Sequence, residues 1–447
     1  MLPLLHRLAL LLLVGLIGLP STSQANHRSV DAGTSRRFGL AKNRQVKNAS
    51  LESEKYADKL AALRTRQLPE FKFAVTGSQL LTPLSFSFEK GAFGVYPGIG
   101  PIPGTATEIT TPRRPTALVN GQINQPLTQL HRIRLNLQQL HLAQEIAAQQ
   151  VQQQRQTITN QVKKSYYAIL QTQSAMRAAA EAIKLYQELD RVTGEYVVQQ
   201  VALKHDSLEV QTRLEKAKYD SSVLSDQLAT MKEQLNQLLG RDINTDFSVS
   251  PAPAYSPYET DLAAAHSRAL AARPEIKEAQ LKRKQAEYDR RIKRAENIPD
   301  ISLSLNYFSF TNTQFLPKNA LSFGVVVSWE PFDWGRKKRE VQEKDRTIEQ
   351  ADNALRDLEA QVLLDVNSKF RKLQQTRQLL TLGKMGEETA QEKLRVMTNR
   401  YTLQAALLGD VLTAQTTLAE ARNQYLQALL GYWSAQADFE KAIGGQQ

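Results

Sequence analysis

The stretch 299–339, PDISLSLNYFSFTNTQFLPKNALSFGVVVSWEPFDWGRKKR, constrains this chain more than any other. Ile301, Leu303, Leu305 and Tyr307 alternate with Ser302, Ser304 and Asn306. After a turn containing Pro317, Lys318 and Asn319, the residues Leu321, Phe323, Val325, Val327 and Trp329 alternate with Ser322, Gly324 and Ser328. Period-two alternation of this length is a β-hairpin. One face is apolar and its reverse is small and hydroxylic, the pattern of a strand between lipid and a watery lumen. A half-buried hairpin alternates in the same way, so both readings stand at this point. The hairpin joins, with almost no linker, a helical pattern about seventy residues long.

The 447-residue chain has no cysteine, which removes disulfides, thiolate metal sites, cysteine nucleophiles and a lipoprotein anchor together. Its start, MLPLLHRLALLLLVGLIGLPSTSQA, sets Arg7 before an apolar core from Leu8 to Leu19, with Ser23 and Ala25 before a cut. This predicts a secretory signal peptide over residues 1–25, so the mature protein leaves the cytoplasm. No later run reaches the roughly eighteen apolar residues of a membrane helix, so any crossing of a membrane falls to strands. The formal net charge is +12, but export and the absence of a nucleic-acid motif argue against nucleic acid as a partner. Where the charge sits is more informative. Arg64 and Arg66, Arg132 and Arg134, Arg290, Arg291, Lys293 and Arg294, and finally Arg336 to Arg339 flank the strand regions. They are either solvated helix ends or a cationic collar for anionic lipid head groups.

In chain order, residues 26–48 are polar and without period, which reads as a flexible leader. A short helix from about Ser50 to Gln67 precedes the strand FKFAVTG, and the glycine- and proline-rich stretch from Glu89 to Pro115 reads as a long surface loop. The return strand TALVNGQINQPL leads into a helix from about Thr128 to Gln199, and another runs from Asp206 to Leu239, stopping at Gly240. A linker, residues 251–257, precedes helices from Glu259 to Ala272 and from Pro274, suited to a first helical position, to Asn297. After the opening hairpin, helices run from Trp334 to Leu403 and from Asp410 to Ile443.

The two halves repeat at an offset of about 204 residues, pairing Gln125, Pro126 and Leu127 with Glu330, Pro331 and Phe332, and Val162 and Tyr166 with Val366 and Phe370. Residues 49–250 and 258–447 each read as short helix, hairpin, long helix and return helix. Helices 206–239 and 274–297 laid end to end reach about 87 Å, so two short helices would flank each long one in a rod with all strands at one end. Four strands cannot close a barrel, and open edges do not survive in lipid. A membrane protein of this pattern has to oligomerise, and three copies supply twelve strands.

The Arg273-Pro274-Glu275 triplet, the NIPDISLSLNY and SWEPFDWGRKK stretches flanking the second hairpin and the YTLQAALLGDVLTAQTTLAEAR turn resemble the TolC-like outer membrane efflux proteins in order, spacing and duplication, over nearly all of residues 50–443. That resemblance implies a mainly α protein with β. Two tandem repeats of coiled-coil helical hairpins and four transmembrane strands per chain would form a homotrimeric twelve-stranded barrel in the outer membrane and an α-helical tunnel in the periplasm. It implies a passive exit channel for efflux or type I secretion, coupled to an inner-membrane transporter through a periplasmic adaptor. It further implies Asp410 in an acidic ring at the periplasmic gate, Tyr401 bonded to Asp206 as a latch, and adaptor-docking tips at Gln199 and Gln404. A helix-capping Asp and a coiled-coil Tyr remain the alternative for these residues. The family's tip glycines are replaced here by Gln199 and Gln404, so helix is expected to run further; Ala406 stands near a latch arginine, and Thr413 replaces a second acidic position.

Trp329, Phe332 and Trp334 lie where strand becomes helix, the place of a membrane-interface girdle, although core packing would also account for them. Scattered histidines, with no HExxH or GxSxG, argue against an enzyme, and no cofactor or metal is expected. The rival reading is a soluble periplasmic coiled-coil adaptor or structural protein.

Overall fold

The computed structural model describes residues 29–30, 42–79, 81–83, 85–110, 113, 115–200, 203–251, 253–311, 318–403 and 405–445. The signal peptide, most of the leader, Pro317 and Gln404 lie outside these residues. Two long helices set the length of the molecule: α2, Gln129–Val198, and α6, Arg336–Thr402. At 70 and 67 residues they measure about 105 and 100 Å. Among the described residues no helix is long and apolar enough to cross a membrane.

Shorter helices run beside them. In the first repeat these are α1, Arg44–Thr65, and α3, Lys204–Leu238; in the second, α4, Leu262–Ala272, α5, Pro274–Ala295, and α7, Leu408–Ala442. The structure corrects the start of α1, which lies inside the stretch expected to be a flexible leader. Asn43 Oδ1 accepts the Gln45 and Val46 N–H groups at 2.8 and 3.2 Å, and Val46 is buried with Ile158, Leu235 and Leu239. A cap plus one buried valine suffices to begin a helix that has no apolar period of its own. Residues Ser29–Val30 form β1, which pairs in parallel with β8, Ser248–Val249.

The stacking of short helices is also corrected. Helix α3 abuts α1, and α7 abuts the α4–α5 joint, so each repeat builds its own short track. Asn43 Nδ2 donates to Leu238 O at 2.8 Å, closing the first joint. At both joints a glycine ends the upper helix with positive φ, Gly240 at +66° and Gly444 at +97°. A Cβ on Gly240 would lie 2.4 Å from Lys42 O, and one on Gly444 would lie 2.7 Å from Ala272 Cβ. These two glycines are 204 residues apart, as are the fully buried pairs Val162 and Val366, and Leu235 and Phe439. The repeat therefore extends to core packing. Helix α2 joins the repeats through Lys163–Glu440 and Lys164–Asp438 pairs to α7. Helices α5 and α6 are zipped antiparallel by Arg273–Asp365, Arg283–Asp352, Arg290–Asp345 and Lys293–Glu340.

All of the long strands meet at one end, in a four-stranded antiparallel sheet of order β10-β9-β7-β2. Its strands are β2, Glu70–Gln79, β7, Pro115–Pro126, β9, Asp300–Phe310, and β10, Asn319–Ser328. The stretch expected as a surface loop from Glu89 to Pro115 carries a small ladder of its own, Val95–Tyr96 with Gly100–Pro101 (β4 and β5), and its Thr107–Thr110 (β6) pairs with Ser85–Phe88 (β3) just before it. Glycines with positive φ at 91, 94, 98 and 100 turn the chain tightly enough for these pairs to form.

Candidate functional site

The register separates the sheet's two faces. Phe71, Ile123, Leu305 and Phe323 form one cross-strand row, and Phe73, Gly121, Tyr307 and Leu321 the next. Along β10 this apolar face continues through Val325 and Val327, whereas on β2 and β7 it continues the other way, through Val75 and Val119. The apolar belt thus steps along the hydrogen-bonded rows from strand to strand. A belt perpendicular to a barrel axis does this when strands are tilted, as closure requires. On the reverse face Ser302 and Ser304 are 8% and 4% exposed, while Phe73 on the apolar face is 74% exposed. On β9 the polar side is the sheltered one, the inverse of a soluble strand, whereas β2 is exposed along its whole length. Among the described residues, strands β2 and β10 are left as unpaired edges.

The junction of strand and helix is held by Thr128. Its Oγ1 donates to Pro299 O at 2.6 Å and accepts from Ile301 N at 2.8 Å, and Arg132 makes a two-pronged pair with Asp300 at 2.7 and 2.8 Å. These contacts tie the two hairpins together, and the sequence reading missed them. At the same level Trp329, Phe332 and Trp334 are all exposed, Trp334 at 90%, with Phe332 and Trp334 rings 4.8 Å apart edge to face. None of the three is a core residue. Trp334 has φ +57° and Gly335 φ +84°, a turn that swings the indole outward. For a bulky residue this conformation costs roughly 1–2 kcal/mol, so it persists because the surroundings impose it. Asp333 caps α6 by accepting from Gly335 N and Lys337 N, and these amides hold its carboxyl below the usual range. Much of the basic collar is internally neutralised. Arg132, Arg290, Lys293, Arg336 and Lys337 have carboxylate partners, whereas Arg64, Arg66, Arg134, Arg294 and Lys338 have no ion pair among the described residues.

At the far end of the rod the two helical turns are near copies. Asp206 Oδ2 accepts from Leu203 N at 3.1 Å and Asp410 Oδ2 accepts from Leu407 N at 3.1 Å, each at the third position of its helix. Both aspartates therefore cap the turns. Tyr401 is exposed, and no Tyr401–Asp206 bond is formed. Gln199 is the C-cap of α2, and the chain turns at Gln200 with φ +61°. The expected extension of helix past Gln199 does not occur, because a non-glycine residue takes the left-handed position. Gln404, 204 residues after Gln200, lies outside the described residues. Around these turns Val198, Leu203, Leu403 and Leu407 are exposed, a repeated apolar cluster that attention to the glutamines overlooked.

Residues 265–445 match the family model described as outer membrane efflux protein. No curated protein matches the sequence. In fold the chain is similar to the outer-membrane channel OprN, with TM-score 0.72 and 16% identity over 93% of this chain and 90% of that one. It is similar to the CmeC outer membrane channel of Campylobacter jejuni, with TM-score 0.73 and 15% identity over 93% and 85%. A further likeness is to the open state of the MtrE outer membrane channel of Neisseria gonorrhoeae, with TM-score 0.67 and 19% identity over 93% and 89%. The second repeat is thus similar in sequence to outer membrane efflux proteins, and nearly the whole chain has the fold of solved outer-membrane channels.

Proposed function

We propose that this protein is the outer-membrane exit channel of a tripartite efflux or type I secretion system, a passive conduit coupled to an inner-membrane transporter through a periplasmic adaptor. The observation that carries this reading is the stepped apolar belt on an open-edged sheet at one end of helices about 100 Å long. Three copies joined β2 to β10 would close twelve strands and leave no edge in lipid. The helices of such a trimer would wall a periplasmic tunnel.

The tips supply the adaptor surface. Val198, Leu203, Leu403 and Leu407 are apolar side chains set at the ends of helices, where an unpartnered protein has no reason to expose them. Asp410, at the corresponding turn of each protomer, would form an acidic ring about the tunnel mouth. Asp206 holds the Leu203 N–H through Oδ2, which leaves Oδ1 to accept from the Tyr401 hydroxyl as a latch.

Light scattering of detergent-extracted protein, followed by recording in a planar bilayer, tests the reading. The expected result is a trimer with a small, mostly closed conductance. A carbonate-soluble monomer or dimer without conductance would return the chain to the adaptor class.

A further inference from the structure

On the sheltered face of β9 the alternation that begins Ser302, Ser304, Asn306 does not stay polar. It continues as Phe308 and Phe310. The ladder is unbroken through this region, so these two rings share the face of the serines and not that of Tyr307. Phe308 lies between Asn120 and Ala320, and Phe310 lies between Leu118 and Lys318, whose carbonyl accepts the Phe310 N–H at 2.9 Å. The Asn120 amide oxygen is sealed from solvent and has no hydrogen-bond partner among the described residues. Leu118, Asn120, Phe308 and Phe310 are half-buried within one protomer, and the sealed amide oxygen is tolerated there at a cost.

We propose that Phe308, Phe310 and Leu118 of the protomers form an apolar collar inside the barrel near its outer end, which resists water and hydrated ions while cargo with apolar surface passes. The proposal rests on the channel reading above. A twelve-stranded barrel lies between eight strands, whose interior side chains fill, and sixteen, which leave an aqueous pore, so large side chains on its inner face govern its bore. The two phenylalanine rows are about 7 Å apart along the strand. Apolar rings stacked over such a length form the kind of constriction that gates by losing its water.

The chain's lack of cysteine permits a direct test in intact cells. Lys318→Cys, beside Phe310 at the outer rim of the rings, and Asn306→Cys, on the same face below them, are each exposed to a membrane-impermeant maleimide from outside. The collar predicts that Asn306→Cys reacts roughly tenfold or more slowly than Lys318→Cys, as a dewetted constriction requires, and that Phe308→Ser with Phe310→Ser closes the gap. Phe308→Leu with Phe310→Leu, which keeps an apolar lining, preserves it and controls for folding. Equal labelling with both rings present, or a gap that survives the serines, overturns the collar while leaving the channel in place. Lys318→Cys unlabelled until the cells are lysed removes the collar and the channel together.

Discussion

Removing Lys163 should weaken the joint between the two repeats. Its ammonium lies 2.7 Å from Glu440 Oε2, and Gln436 Nε2 donates to the other oxygen at 2.9 Å. Glu440 is 8% exposed. Lys163→Met keeps most of the side-chain volume and leaves that carboxylate buried with one neutral donor. Breaking a buried pair costs about 3–5 kcal/mol, and because the lysine side chain is 24% exposed, about 2–3 kcal/mol per protomer is expected here. If the pair is absent from the transition state, urea-induced unfolding of the detergent-solubilised protein, followed by helical circular dichroism, accelerates by roughly 30- to 150-fold. Lys163→Met combined with Glu440→Gln removes the stranded charge and should recover more than half of the loss. A single variant within about 0.5 kcal/mol of the parent, or a double variant no better than the single, would refute the assignment of this pair as the electrostatic joint between repeats.

Three further outcomes follow from the geometry. Gly240→Ala should destabilise by about 2 kcal/mol or more, since positive φ and contact with Lys42 O both oppose a Cβ; thermal melting at or above the parent's midpoint contradicts the joint described here. Burial, aided by Glu440 and Tyr166, pushes the Tyr167 phenol up to about 12. The unfolded chain releases this proton near pH 10, so stability is intact below that value and falls by about 2–3 kcal/mol as pH rises through 12; Tyr167→Phe should flatten this part of the alkaline stability profile. Asp410→Ala should reduce cation preference in single-channel recordings, and unchanged selectivity would leave Asp410 as a helix cap alone.

The elements most legible in the sequence are those specified by local or periodic signals. Alternation marked β9 and β10, Pro274 began α5, Gly240 ended α3, and the offset of 204 foretold equivalent cores at Val162 and Val366. The signals that failed were those whose partner is distant. Asn43 looks like any polar leader residue until Leu238 O and the Val46 pocket are beside it. Asp206 is a different case, since its bond to the Leu203 N–H, three residues away, is the helix cap that the sequence already offered beside the latch. Gln200 turned left-handed where glycine was the expected means of turning, and nothing local announces that.

The order of residues alone requires that strands, not helices, carry any membrane contact, that the chain is duplicated, and that four strands per chain are too few to close. These follow from periodicity and hydrogen-bond satisfaction, which are properties of a stretch of chain. Tertiary structure decided which short helix stacks on which, that the apolar belt steps across the sheet, and that the phenylalanines of β9 share the serines' face. Register and joint contacts bring together residues as far apart as Lys42 and Gly240, and only the folded chain selects among the pairings that periodicity allows.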